Sequence, residues 1–137
     1  VVLGPHRSGT SLVTRLINMM GAYFGDPGDE IAVHPDNPKG FWERRDVVDL
    51  NDAILYEAQC AWDQLALWSF DRPSVALRED LEAHMRRTVA HLDAHCPWVV
   101  KDPRLCQTLP YWLPFLSRPV IVLTSREITT STTIVAQ

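Results

Sequence analysis

The sequence predicts an α/β protein in which a parallel β-sheet carries helices on both faces, a three-layer αβα arrangement. Short apolar runs typical of buried parallel strands lie at Val1–Leu3, Trp98–Val100 and Val120–Leu123. Segments with the apolar spacing of helices separate these runs. Strands that alternate with helices form βαβ units, because parallel strands need a crossover connection.

Four helices are predicted from the spacing of apolar residues. The first covers Leu12–Met20, and Gly21 is a typical residue to end it. Arg44–Cys60 has a broad apolar face, and Leu77–Leu92 carries an apolar stripe along one side. A fourth helix over Leu105–Leu116 must be shortened or kinked by its two prolines.

Two segments are predicted to be irregular. Gly25–Gly40 holds three Pro and three Gly, and Asp71–Ser74 breaks the chain before the third helix. No repeat or flexible linker divides residues 1–137, so we expect one domain. Because the chain begins inside an apolar run without Met and stops without a helix-ending signal, we expect an excerpt of a longer protein, or one with segments left out.

Composition and charge exclude several classes of protein. Of the 137 residues, 46% are hydrophobic and 22% charged, which is typical of globular domains. A net charge of −4 argues against a nucleic-acid-binding surface, and no apolar run approaches the roughly 18–20 residues of a membrane span. Cys60, Cys96 and Cys106 lack metal-ligand spacing, so we predict free core cysteines in a reducing compartment, the cytoplasm.

The loop Gly4–Ser11, between the first strand and the first helix, has the residues of a phosphate-binding loop. Backbone N–H groups of such a loop surround a phosphate, and the helix N-terminus adds positive potential. Gly9 tolerates the tight geometry, while Thr10 and Ser11 offer hydroxyl groups and help to cap the helix. The alternative is an ordinary strand-to-helix turn with Ser and Thr caps.

This loop differs from the loop of nucleotide triphosphatases, which reads GxxxxGK[ST]. Thr10 occupies the position of the phosphate-binding lysine, and the cation comes earlier, as Arg7. Thr124 and Ser125, rather than an acid that could hold Mg²⁺, follow the strand Val120–Leu123. These differences argue against ATP as the ligand.

Several segments in order resemble the bacterial sulfotransferases that use PAPS (3′-phosphoadenosine 5′-phosphosulfate) and are related to carbohydrate sulfotransferases. They are His6–Ser11, then Asn37–Glu43 followed by Leu50–Asp52, and Lys101–Cys106, all within residues 1–110. The resemblance implies a P-loop-like sheet, PAPS as the sulfuryl donor, release of 3′,5′-adenosine bisphosphate, and no metal.

The resemblance also assigns donor-binding residues. The 5′-phosphosulfate would be held by the loop residues His6, Arg7, Ser8, Gly9, Thr10 and Ser11. Arg126, after a later strand, would bind the 3′-phosphate. The family has Pro two residues and Ser eight residues after this Arg, where the chain has Ile128 and Ile134. Either the adjacent Thr133 supplies the hydroxyl, or the numbering joins segments that are not contiguous.

Sulfuryl transfer needs cations near the leaving phosphate and a base near the acceptor hydroxyl or amine. Arg7 is placed to neutralise the departing phosphate. Lys101 and Arg104 follow a predicted strand, where α/β sheets place ligand contacts, so we expect both in the catalytic site. The alternative for this segment is that Asp102 pairs with either cation.

Glu43 is the candidate general base, because it ends a Gly-Phe-Trp-Glu segment at a predicted loop-to-helix boundary. Its alternative is an acid favoured by the helix dipole. His34 is a second candidate base, and its alternative is a solvated loop histidine. Phe41 and Trp42 either line the acceptor pocket or pack in the core. The other tryptophans are predicted core residues: Trp62, Trp68, Trp98 and Trp112.

The leading hypothesis is therefore an enzyme, a PAPS-dependent sulfotransferase with a small-molecule or carbohydrate acceptor. Two alternatives stay open: a P-loop kinase or nucleotide triphosphatase, and a nucleotide-binding or interaction domain without catalysis. We expect no nucleic-acid, membrane or metal partner.

Overall fold

The computed structural model describes residues 1–33, 37, 40–64, 68 and 77–127. These residues form an α/β structure, which confirms the predicted class. The elements in order are β1 (Val2–Leu3), α1 (Thr10–Met19), α2 (Arg45–Glu57), α3 (Glu79–Asp93), α4 (Leu105–Trp112), a 3₁₀ turn (Leu113–Phe115) and β2 (Val122–Leu123). None of the helices in this described part has the length and apolar character that crossing a membrane requires.

Strand β1 lies between two other parallel segments. It pairs with β2 on one side, where Val2 is opposite Val122. On the other side Val2 makes a single parallel bridge to Lys101, and a further bridge joins Tyr23 to Trp98. The predicted strand Trp98–Val100 is therefore represented by single bridges at Trp98 and at the following Lys101, and is too short to count as a strand.

Alternate residues of the central segments pack in two hydrophobic clusters. Val2 and Val99 belong to a cluster against which α1 packs, whereas Val100 belongs to a larger cluster between α2, α3 and α4, and Leu3 packs against it. Successive side chains of extended chain point to opposite faces, so apolar packing occurs on both faces of the parallel segments. The larger cluster contains Val47, Leu50, Ile54, Leu81, Met85, Val89, Leu92, Val100, Leu105 and Trp112.

The helices follow the predicted periodicity, with small changes at their ends. Gly21, with φ of 103°, follows α1 as predicted. Helix α4 contains Pro110 and changes to the 3₁₀ turn that contains Pro114. A proline has no N–H group to continue the helical hydrogen bonds, so the predicted fourth helix is shortened at its C-terminal end.

The predicted core position is wrong for two residues, Trp62 and Cys96. Trp62 is 52% exposed, whereas Trp112 is buried as predicted. Cys96 is exposed, Cys60 is buried, and the three cysteines are all free. Trp62 and Cys96 lie in the turns just after α2 and α3, where the chain has already left the packed helix face.

Candidate functional site

The loop between β1 and α1 has a strained backbone. Arg7 has φ of 65° and Gly9 has φ of 96°, both in the left-handed region. This conformation costs of order 1–3 kcal/mol for a residue other than glycine and is concentrated at functional sites. Gly9 is the N-cap of α1, and no described side chain caps the helix. The first N–H groups of α1 are therefore not taken by a side chain, as suits an anion.

The loop hydroxyls hold the loop against its neighbours. Ser8 Oγ lies 2.9 Å from Thr124 Oγ1, which itself donates to the carbonyl of Leu3, so Ser8 is the donor between the two hydroxyls. Ser11 Oγ donates to the carbonyl oxygen of Phe41 at 2.8 Å. The predicted capping by Ser11 and its neighbour is wrong, because the helix already begins at Thr10.

Gly4 is required by the close approach of β2. A Cβ at this position would collide with Thr124 Oγ1 and would lie 2.6 Å from Ser8 Oγ. The contact brings the end of β2, and Arg126 beyond it, next to the loop.

A cavity of about 420 Å³ opens in front of this loop. Its wall is formed by four parts of the chain that are far apart in the sequence. They are the β1–α1 loop with α1, the chain before α2, the chain before α4, and the chain after β2. The predicted site residues on its wall are His6, Arg7, Gly9, Thr10, Ser11, Glu43, Lys101 and Arg126. Phe41 and Trp42 also line it, and Trp42 packs in addition against the hydrophobic cluster that contains Val2 and Val99.

The wall of this cavity is strongly cationic. Arg7, Arg15, Lys101 and Arg126 line it, and Glu43 is the one acidic side chain among the described lining residues. Arg15 is not among the predicted site residues; it lies four residues after Ser11 in α1, so both side chains are on the same face of the helix. Its guanidinium lies 5.8 Å from the ring centroid of Trp42, a cation–π contact that holds it at the cavity.

Glu43 and Lys101 form a buried ion pair at this cavity. Lys101 Nζ donates to Glu43 Oε1 and, at 3.2 Å, to the carbonyl oxygen of Phe41. Glu43 is 7% exposed and Lys101 3%. Burial raises the pKa of Glu43 above its ordinary value, and the positive charge of Lys101 acts in the opposite direction without cancelling this effect.

Glu43 lies just before helix α2. Helix α2 begins at Arg45, its N-cap is Arg44, and the acid of its first turn is Asp46. Glu43 therefore precedes the helix and its N-cap, and its carboxylate pairs with Lys101. Trp42, just before it, has φ of 56°, a second strained residue on the cavity wall.

Arg104 points to a different place from Lys101. Its Nε donates to Asp52 Oδ1 at 2.6 Å and its Nη1 to Asp102 Oδ1 at 3.0 Å, so Asp102 pairs with Arg104. Arg104 does not line the main cavity but a smaller one of about 200 Å³. The structure thus brings Arg7, Glu43 and Lys101 together and leaves Arg104 apart from them.

A buried polar network holds the segment that carries Lys101. Asn51 Nδ2 donates to Asp102 Oδ2 at 2.8 Å. Asn51 Oδ1 accepts from Thr108 Oγ1 at 2.7 Å and from Trp112 Nε1 at 2.8 Å. Asn51, Asp102 and Thr108 are fully buried. In the sequence, Leu50–Asp52 stands out only as part of the family resemblance. No local pattern predicts that Asn51 links α2 to α4.

Some predicted positions lie outside the described residues. They are His34, Lys39, Ile128, Thr133, Ile134 and the break Asp71–Ser74. The interpretations of His34 as a base and of Thr133 as a phosphate ligand stay predictions.

The fold and the site define an α/β protein with a cationic cavity at its β1–α1 loop and a buried Glu–Lys pair in that cavity. No family model, curated protein or solved structure matches the chain.

Proposed function

We propose that the protein is a PAPS-dependent sulfotransferase, which transfers a sulfuryl group to a hydroxyl or amine of a small-molecule or carbohydrate acceptor. One observation carries the proposal: the segments that resemble this family supply Arg7, Glu43 and Lys101 to one cavity. We further propose a P-loop-like, three-layer αβα fold. The parallel pairing of β1 on both sides and the apolar packing on both faces support it.

The charge of the cavity supports a polyanionic donor such as PAPS. Arginine binds phosphate and sulfate oxygens through charge-assisted hydrogen bonds. In this proposal Arg7 and the first N–H groups of α1 bind the 5′-phosphosulfate, and Arg126 binds the 3′-phosphate. The negative charges of the bound donor then balance the positive charge of the cavity wall.

The proposed reaction is an in-line displacement at sulfur. The acceptor oxygen or nitrogen bonds to sulfur as the bond from sulfur to the 5′-phosphate oxygen breaks. The acceptor proton moves to Glu43, and 3′,5′-adenosine bisphosphate leaves with the electrons of the broken bond. Arg7 and the N–H groups of α1 stabilise the charge that develops on the leaving phosphate. Lys101 fixes the orientation of the Glu43 carboxylate through their ion pair.

Thermal unfolding with added nucleotide tests the proposal against its alternatives. We expect 3′,5′-adenosine bisphosphate to raise Tm, and ATP with Mg²⁺ to have little effect. Transfer of labelled sulfate from PAPS is then screened across sugars, phenols and amines. Stabilisation by ATP with Mg²⁺ alone would favour a kinase or nucleotide triphosphatase. Nucleotide binding without transfer to any acceptor would favour a non-catalytic domain.

Arg126→Ala is expected to weaken binding of 3′,5′-adenosine bisphosphate by about 10–100-fold, because a charge-assisted hydrogen bond to the 3′-phosphate is lost. Binding of 5′-AMP, which lacks that phosphate, should change little. Isothermal titration of both ligands measures the difference. Arg87→Ala, a change on the exposed side of α3, is the matched control. Equal losses for the two nucleotides would show that Arg126 does not bind the 3′-phosphate.

The pH dependence of kcat/KM should report the raised pKa of Glu43. A base acts only when it is deprotonated, so the rate falls as pH decreases through its pKa. Because burial raises that pKa above the ordinary 4.5, we expect the acidic decrease in rate at a higher pH than an exposed glutamate gives. A rate that is constant down to the ordinary range would contradict Glu43 as the base.

A further inference from the structure

A second cavity of about 200 Å³ adjoins the main one. His6 and Pro103 line both cavities, so a ligand in the smaller cavity lies next to the segment that carries Lys101. The smaller cavity is also lined by Trp62 and Gln107. Of the donor-binding residues proposed above, His6 alone lines it.

Trp62 gives this cavity an exposed aromatic wall. Its side chain is 52% exposed, and its ring centroid lies 5.5 Å from that of His6. Two reciprocal backbone hydrogen bonds of 3.0 Å between Ala61 and Gln64 close the turn on which Trp62 lies. A ring that is held in place offers an apolar face to a ligand at a small cost in conformational entropy.

The polar groups of the cavity suit a neutral ligand. The charge of Arg104 is already compensated by Asp52 and Asp102, both of which accept its hydrogen bonds. Gln107 adds an uncharged amide. Burial, together with the positive charges of Lys101 and Arg104, lowers the pKa of His6, so its imidazole is neutral at neutral pH.

We infer that this second cavity is the acceptor subsite and that it binds the ring of a neutral sugar. That the bound sugar is the sulfuryl acceptor rests on the proposed function. A sugar ring has an apolar C–H face that can lie on Trp62, and hydroxyls that can pair with Arg104 and Gln107. The volume is below the roughly 300–1,000 Å³ of pockets for drug-sized ligands, so it suits a single ring.

Two other acceptor classes fit less well. A phenol has a single hydroxyl, so it offers fewer hydrogen bonds to Arg104 and Gln107 than a sugar ring does. A sugar acid would bring its carboxylate close to Asp52 and Asp102, which already share the nearby cation.

Saturation-transfer NMR without nucleotide tests the subsite directly. The probes are the methyl glycosides of glucose, galactose and N-acetylglucosamine, with methyl glucuronide and 4-nitrophenol for comparison. We expect saturation transfer to the ring protons of at least one neutral glycoside. Trp62→Ala should weaken that binding by about tenfold or more, and Trp62→Phe should retain most of it. Tyr56→Ala is the matched control, because Tyr56 is 79% exposed on α2 and lines neither cavity.

The outcomes separate the subsite from the proposed function. Sugar binding that depends on Trp62, with no sulfate transfer from PAPS to any acceptor, would support the subsite and contradict the sulfotransferase. Transfer to 4-nitrophenol with no binding of any neutral glycoside would overturn the subsite and retain the sulfotransferase. Equal binding of glucoside and glucuronide, or binding that Trp62→Ala does not change, would also overturn it.

Discussion

Glu43→Gln is expected to lower kcat by about 10²–10⁴, the usual contribution of general acid–base catalysis. The side chain keeps its shape and an oxygen that can accept the hydrogen bond from Lys101, but it no longer takes the acceptor proton. Binding of 3′,5′-adenosine bisphosphate should change little, because in the proposed arrangement the carboxylate faces the acceptor. Single-turnover transfer of labelled sulfate measures kcat, and titration calorimetry measures the affinity.

Controls separate the loss of a base from damage to the fold. Asp46→Asn makes the same change of acid to amide three residues later, in the first turn of α2 and in an ion pair with Arg44 that lies outside the cavity. It should leave kcat nearly unchanged. Thermal unfolding of both variants measures the effect of weakening each ion pair. If Glu43→Gln keeps kcat while His34→Ala loses it, the base is His34.

Asp102→Ala is expected to lower the free energy of unfolding by about 3–5 kcal/mol, the cost of breaking a buried, hydrogen-bonded ion pair. Asp102 is 0% exposed and accepts hydrogen bonds from the backbone N–H and Nη1 of Arg104 and from Asn51 Nδ2. The substitution leaves these donors without the acceptor that Asp102 provides, which is costly for groups removed from water. Urea denaturation followed by circular dichroism gives the free energy.

The chain contains a matched control for this prediction. Arg78 and Asp80 are also an Arg–Asp pair two residues apart, with an Nε–Oδ1 distance of 3.2 Å, but their side chains are 62% and 73% exposed. Asp80→Ala should cost about 1 kcal/mol or less, because water screens an exposed pair. Equal losses for the two variants would contradict the role of burial in the stability of the Asp102 network.

Local patterns predicted much of the fold. The spacing of apolar residues predicted α1, α2 and α3. A helix that buries one face carries apolar residues at its own 3.6-residue repeat, so the local sequence is enough to show the pattern. The strand Val120–Leu123 was correctly predicted as extended chain, although the observed strand is shorter. The predicted strand Trp98–Val100 is reduced to single bridges, because strand pairing depends on the segment that lies beside it as well as on the local sequence.

Aromatic residues show where local patterns fail. Trp62 and Trp112 have the same chemical character in the sequence, yet one is 52% exposed and the other 4%. Trp112 ends a helix that packs on the larger cluster, where Asn51 accepts its indole N–H. Trp62 lies in a turn beyond α2, outside the helix face that packs in the core.

The sequence by itself determined the α/β class, the position of the loop before α1, and the presence of Glu43, Lys101 and Arg104 as candidates. Only the tertiary structure decided which of them lie together. Glu43 and Lys101 are 58 residues apart and form one buried pair, whereas Arg104, three residues after Lys101, turns to Asp52 and away from the main cavity. The physical reason is that the spacing of residues fixes the face of a helix or strand, while the partner of a buried charge depends on which distant carboxylate the packing of α2 and α4 brings within reach.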